Sequence, residues 1–310
     1  MRARVATGGR MRTVDAVRRA AAAAFAVALL AMAAGCGDER PGGEGPAAPP
    51  AGDRAAVEDP GPVHVHGLGI NPKDGALVIA THSGLFRSPP GSTRAERIGD
   101  SFQDTMGFTV VGPDHFLGSG HPDLSDDLPP YLGLIESRDG GRSWTPRSLL
   151  GRVDFHVLEA RGDRVYGFGS DFETRTARFL VSDDGGRNWS RREAPESLIA
   201  LAIDPRDARA IVVSGERGLH RSDDAGRSWR PLTGKPGLLA WTEDRLFAVG
   251  LDGRLRVSTS AGRDWRETGG VGESPAALEA AGDTLLVALH DGTVKQSRDG
   301  GRSWTIRSRP

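Results

Sequence analysis

The sequence predicts an all-β protein, a six-bladed β-propeller of four-stranded blades, with seven blades the alternative. Three observations predict it. One octet recurs along the chain, its copies are spaced as four short strands require, and each copy follows the same succession of short apolar runs.

The octet reads Ser137-Arg-Asp139-Gly-Gly141-Arg-Ser-Trp144. It returns as Ser182-Asp-Asp184-Gly-Gly186-Arg-Asn-Trp189, as Ser222-Asp-Asp224-Ala-Gly226-Arg-Ser-Trp229 and as Ser297-Arg-Asp299-Gly-Gly301-Arg-Ser-Trp304. In a fifth copy, Ser258-Thr-Ser260-Ala-Gly262-Arg-Asp-Trp265, serine replaces the aspartate. The tryptophans stand 45, 40, 36 and 39 residues apart, and five of the six in the chain belong to the octet. The fourth unit shows the pattern: apolar runs at 198–203, 210–214 and 218–222, then the octet, then 228–232. The same pattern gives blades at 62–99, 103–149, 153–194, 196–234, 236–269 and 273–308. Blade 1 carries only a worn octet, Ser88-Pro-Pro-Gly91. How the ring closes is not specified.

The octet resembles the Asp-box, or BNR repeat, of sialidases, sortilin-type receptors and photosystem assembly-factor propellers. Its residues suit a hairpin turn. Aspartate and serine can satisfy backbone amides, glycine permits positive φ, and tryptophan can pack beneath, against the next sheet. The resemblance covers about residues 62–308 and implies the fold. It says little of function, because in these families the box is a structural turn away from the ligand face.

The first 60 residues read differently. Residues 1–35 are expected to be a lipoprotein signal peptide: arginines at 2, 4, 10, 12, 18 and 19 precede an apolar run of 15 residues, 20–34. That run is shorter than the ~20 residues of a membrane span. Ala33-Ala34-Gly35-Cys36 resembles a bacterial lipobox, with Ala33 where leucine is usual. Cys36 is the sole cysteine, so an intrachain disulfide is impossible and lipidation of Cys36 is expected. Residues 36–60, rich in Gly, Pro and Ala, read as a disordered tether, and 61–310 as the propeller. The expected location is the extracytoplasmic face of the cell membrane, held by the lipid anchor. A net charge of -1 offers no nucleic-acid footprint, and a monomer is expected.

Topology places the octets on one face, the bottom. The starts of the inner strands and the loops between second and third strands fall on the top. Six of the eight histidines map there: His64, His66, His82, His121, His156 and His290. Aligned inner-strand starts give His64/His66 in blade 1, Asp104/Met106 in blade 2 and Asp154/His156 in blade 3. The strand period of two is expected to turn both members of each pair to one side. Imidazole, thioether and carboxylate together suit a copper or zinc ion. Two long top loops adjoin this sector, 121–131 and 170–178, and add His121, Asp123, Tyr131 and Asp171 as candidate ligand contacts, beside His82 in the Thr81-His82-Ser83-Gly84 loop of blade 1.

Three functions follow. The first is a non-catalytic propeller that binds a metal or small ligand at its top face. The second is a protein-binding scaffold of the sortilin or assembly-factor type. The third is a sialidase-like hydrolase, against which several features weigh. Sialidases clamp a carboxylate with three arginines. Here the octet arginines Arg142, Arg187, Arg227, Arg263 and Arg302 lie on the bottom, the family's early Arg-Ile-Pro is absent, and only Tyr131 and Tyr166 could serve as a tyrosine nucleophile.

Overall fold

A computed structural model describes residues 59–310. The signal segment, Cys36 and nearly all of the tether lie outside the described residues. The rest folds as six antiparallel sheets of four strands, each taken in chain order. The inner strands are Val65–Ile70, Asp104–Gly112, Val153–Arg161, Leu198–Ile203, Leu238–Trp241 and Pro275–Ala281. This is the expected six-bladed propeller. Blade limits agree closely with those read from the octet; blade 5, for example, ends at Gly270 rather than 269.

Runs such as Leu77–Thr81 and Thr284–Leu289 are almost wholly buried, because both faces of a blade meet another blade. Six apolar clusters result, each spanning one junction between neighbouring blades. Five junctions contain an octet tryptophan: Trp144, Trp189, Trp229, Trp265 or Trp304. Each packs on the blade that precedes its own in the chain; Trp229 of blade 4, for instance, lies 5.9 Å from Phe179 of blade 3.

The octet turn is a closed hydrogen-bond network. Ser137 Oγ donates to Asp139 Oδ1 (2.9 Å) and accepts from Gly141 N–H (2.9 Å). Asp139 accepts the amides of Arg142 and Ser143 (both 3.0 Å) and the Ser143 hydroxyl (2.6 Å). Gly141 sits at φ 90°, which a side chain would oppose. The same bonds recur about Asp184, Asp224 and Asp299. They hold the Asp184 carboxyl far below its ordinary range, the Asn188 amide contributing most.

The ring closes between blades 6 and 1, where the octet is worn and no tryptophan stands. No strand is shared across this seam. Arg307, on the outer strand of blade 6, fills the gap and is 8% exposed. Its guanidinium donates to Ser88 Oγ (2.9 Å), Ser88 O (2.8 Å), Pro89 O (3.2 Å) and Ser92 O (2.9 Å), which are the acceptors of the worn turn. Arg309 N then donates to Thr93 O (2.8 Å). Arg147, at the same register of blade 2, donates to Gly185 O of the blade 3 octet, so the seam is an intensified copy of an ordinary junction.

Arg307→Ala removes these four hydrogen bonds and the buried guanidinium that fills the gap, at a cost of about 2–3 kcal/mol. For a domain of this size that lowers the melting temperature by roughly 4–10 °C. Thermal unfolding of the variant checks it; an unchanged midpoint would refute the seam's dependence on Arg307.

Candidate functional site

The top face is organised by an irregularity. In five of the six blades a one-residue bulge interrupts the inner strand near its start. The extra residues are His66, Met106, His156, Ile199 and Ala276, and all five line a channel cavity of about 240 Å³. A bulge re-aims the side chain it carries. The period-two expectation therefore fails within each aligned pair: Asp104 and Asp154 are buried beside the channel, while Met106 and His156 reach it. Glycines across from the bulges permit the close approach. A Cβ on Gly169 would stand 1.8 Å from Asp154 O, and one on Gly120 would stand 2.0 Å from Asp104 O.

The six aligned residues do not converge on one point. His66 meets Asp104 and His156 meets Asp154, two buried aspartates, whereas His64 is exposed and Met106 lines the channel. Each aspartate is also contacted by a histidine at or just past the end of the second strand of the preceding blade, His82 or His121. Around Asp104, His82 Nδ1 lies 2.8 Å from Oδ2 and His66 Nε2 lies 3.4 Å from Oδ1. Among the described residues, His66, His82 and Asp104 form a group whose ligand atoms all lie within 4.8 Å of one another. His66 Nε2 and Asp104 Oδ1 are both buried without a hydrogen-bond partner. Around Asp154, His156 Nε2 lies 2.9 Å and His121 Nε2 3.5 Å from Oδ2. The hydrogen bond to Asp154 raises the His156 imidazole above its ordinary value against the effect of burial.

The remaining candidates hold other places. His64 is exposed, has φ 52°, and lies 6.4 Å ring to ring from His82. Asp123 ties its own loop to Phe102 N (2.6 Å) and Ser125 N (2.9 Å). Asp171 accepts from Thr174 N (2.9 Å) and pairs with Arg178 (2.9 Å). Tyr131 packs edge-on against His121 at 5.6 Å and against Phe172 at 5.3 Å. The octet arginines fold back on their own turns; Arg142, for example, donates to Asp139 O at 2.7 Å. Tyr166 is buried, with its hydroxyl on Ala208 O at 2.7 Å.

Two residues that sequence reasoning missed also line the cavity: Glu159 of blade 3 and Glu279 of blade 6. They occupy one register, three residues beyond the bulge, and the repeated Leu-Glu-Ala at 158–160 and 278–280 was the available signal. Burial raises the Glu279 carboxyl to about 7. Burial, and then the charge of Glu279, raises Glu159 well above its ordinary value.

The model of the BNR/Asp-box repeat family matches residues 180–191, which contain the octet of blade 3. The chain is an Asp-box β-propeller. Over 100 residues it is 28% identical to a xyloglucanase of Paenibacillus sp, covering 30% of this chain and 10% of that protein. Over 107 residues it is 24% identical to the chloroplastic photosystem II stability/assembly factor of Arabidopsis thaliana, covering 31% of this chain and 25% of that protein. The propeller thus spans a quarter or less of the curated relatives it matches. A gluconolactonase of Xanthomonas campestris shares the fold, with TM-score 0.59 and 12% identity over 80% of this chain and 87% of that one.

The channel glutamates give a pH-dependent outcome. An ordinary glutamate ionises near 4.5, and Glu279 does so near 7 in the folded propeller. The folded state is therefore unpenalised below about pH 4.5, loses stability as pH rises, and bears the full penalty above 7. Glu279→Gln should raise the melting temperature by several degrees at pH 8 and leave it nearly unchanged at pH 4. Melting curves at the two pH values check it; an equal shift at both would refute it.

Proposed function

We propose that this Asp-box propeller is a membrane-anchored, extracytoplasmic metal-binding protein, which takes a divalent transition ion, zinc or copper, at His66, His82 and Asp104. The observation that carries the reading is the pair of buried, partnerless atoms His66 Nε2 and Asp104 Oδ1, 3.4 Å apart. Two ligands ~2.1 Å from a zinc ion at a tetrahedral angle stand roughly 3.4 Å apart. Burying two such atoms without a partner costs free energy that an ion between them would return. Two imidazoles and one carboxylate are a donor set for such ions, and they leave coordination positions open toward the channel. Exposure of His82, 66% at its side chain, gives an ion a way in.

A second reading, a scaffold for a protein partner, is favoured by one observation. Phe102, Leu124 and Leu128 are exposed beside the long loop of blade 2, and Leu124 is fully so. Apolar side chains gathered at one rim mark a contact surface. The partial likeness to a photosystem assembly factor is in keeping with it.

Calorimetric titration of the purified chain with zinc, and separately with copper, tests the first reading. Binding is expected to raise the melting temperature, and His66→Ala/His82→Ala should weaken the affected site on the order of 100-fold or more. Identical isotherms for the two proteins would sink it.

A further inference from the structure

We propose that the top rim of blades 1 and 2 docks a basic, apolar segment of a protein partner, on Phe102, Leu124 and Leu128 and the aspartates among them. This deepens the scaffold reading above, on which it rests, and does not depend on the metal site.

Three of the six exposed large apolar side chains among the described residues gather here. Leu124 is fully exposed, and Phe102 and Leu128 are 48% and 41% exposed. None of the three joins an apolar cluster of the ring. They come from two segments, the connection 99–103 between blades 1 and 2 and the insertion 121–131 of blade 2. One bond ties the segments together: Phe102 N–H donates to Asp123 Oδ2 at 2.6 Å, next to Leu124 in the chain.

The patch is fixed before anything binds. The amide and hydroxyl of Ser125 donate to Asp123 Oδ1 (2.9 and 2.8 Å), and Asp126 N donates to Asp123 O (3.0 Å), so Leu124 stands on a closed turn. Pro122, Pro129 and Pro130 stiffen both ends of the insertion. On the other side, the guanidinium of Arg97 lies over the Phe102 ring at 4.0 Å. Asp59 holds that guanidinium through Nε (2.8 Å) and Nη2 (2.5 Å). A surface that needs no ordering loses less free energy on binding.

Charge names the occupant. The two segments carry Asp100, Asp123, Asp126 and Asp127 and no lysine or arginine. Asp100, Asp126 and Asp127 are exposed. The bordering cations are engaged elsewhere. Arg97 is paired with Asp59, and Arg175 of blade 3 lies over Phe172 at 4.8 Å and donates to the Tyr131 hydroxyl at 3.4 Å. An apolar centre set among charges of one sign attracts a partner of the opposite sign and repels others. Lysine or arginine interleaved with aliphatic side chains meets both demands. An anionic membrane surface does not, because the aspartates oppose it.

The test is fluorescence anisotropy of the purified chain with three labelled synthetic peptides, in which leucine alternates with lysine, with serine or with glutamate. The Leu-Lys peptide should bind, the Leu-Ser peptide about tenfold more weakly, and the Leu-Glu peptide not measurably. Leu124→Ser/Leu128→Ser should weaken the Leu-Lys peptide about tenfold or more. Asp126→Lys/Asp127→Lys should weaken it by a similar factor in dilute salt and by little in ~1 M salt, which screens exposed charges. Ile306→Ser, an exposed apolar position on the outer strand of blade 6, should leave binding unchanged. Equal binding of the three peptides, or binding that neither double variant alters, overturns the proposal. If the Leu-Ser peptide matches the Leu-Lys peptide and only the leucine variant weakens them, the contact surface stands and its basic partner falls. If no peptide binds, both fall. Association with phosphatidylglycerol vesicles should be the same for wild type and Leu124→Ser/Leu128→Ser; if the variant abolishes it, a membrane covers the patch and the proposal fails.

Discussion

No blade of this protein can bury its own faces. Each sheet is apolar on both sides, and each apolar cluster is assembled from two neighbours. The ring must therefore close, or two faces remain in water. Closure by a shared strand is not used. The seam depends on one buried arginine that reads the backbone of a turn whose octet has decayed. Where Asp139 and its counterparts satisfy their turns from within, blade 1 lacks that aspartate and borrows donors from the far end of the chain.

Rigidity at the bottom allows irregularity at the top. Octet turns and tryptophans fix how blades sit against each other, so the inner strands can carry a bulge in blade after blade. The bulge sinks an aspartate beside the channel and turns the next side chains into it. The inner strand of blade 5 has no bulge, and blades 4 and 6 put Ile199 and Ala276 at the position. Polar donors are thus confined to blades 1 to 3, a sector rather than a ring.

Much of this was legible in the sequence, for a definite reason. A repeat aligned on its tryptophans gives the register of every strand, and so it placed His64, Asp104 and Asp154 at one level and His66, Met106 and His156 at another. Contacts between blades were not legible. That His82 meets Asp104, and His121 meets Asp154, depends on the rotation between sheets, which no spacing within one blade reports. The bulge was hidden too, because its extra residue looks like any other member of an alternating run. The outer strand of blade 4 begins at Arg230 rather than Ser228, because the amide of Ser228 still bonds Asp224 within the turn. Arg307 was invisible for a simpler reason: it compensates for residues absent from a motif more than 200 positions away, |i−j| being 219.

The two aspartates are the point at which local chemistry and global fold disagree. In the octets the propeller pairs its polar groups closely, hydroxyl by hydroxyl and amide by amide. At Asp104 and Asp154 it buries a carboxylate, leaves one oxygen of each without a partner, and aims imidazole nitrogens at them. A fold that can satisfy a turn amide by amide has no structural need for such an arrangement. Sites where a well-determined structure keeps an unsatisfied buried charge are where function is to be sought. The face opposite the octets is thus where binding is proposed, and the face that carries them holds it in shape.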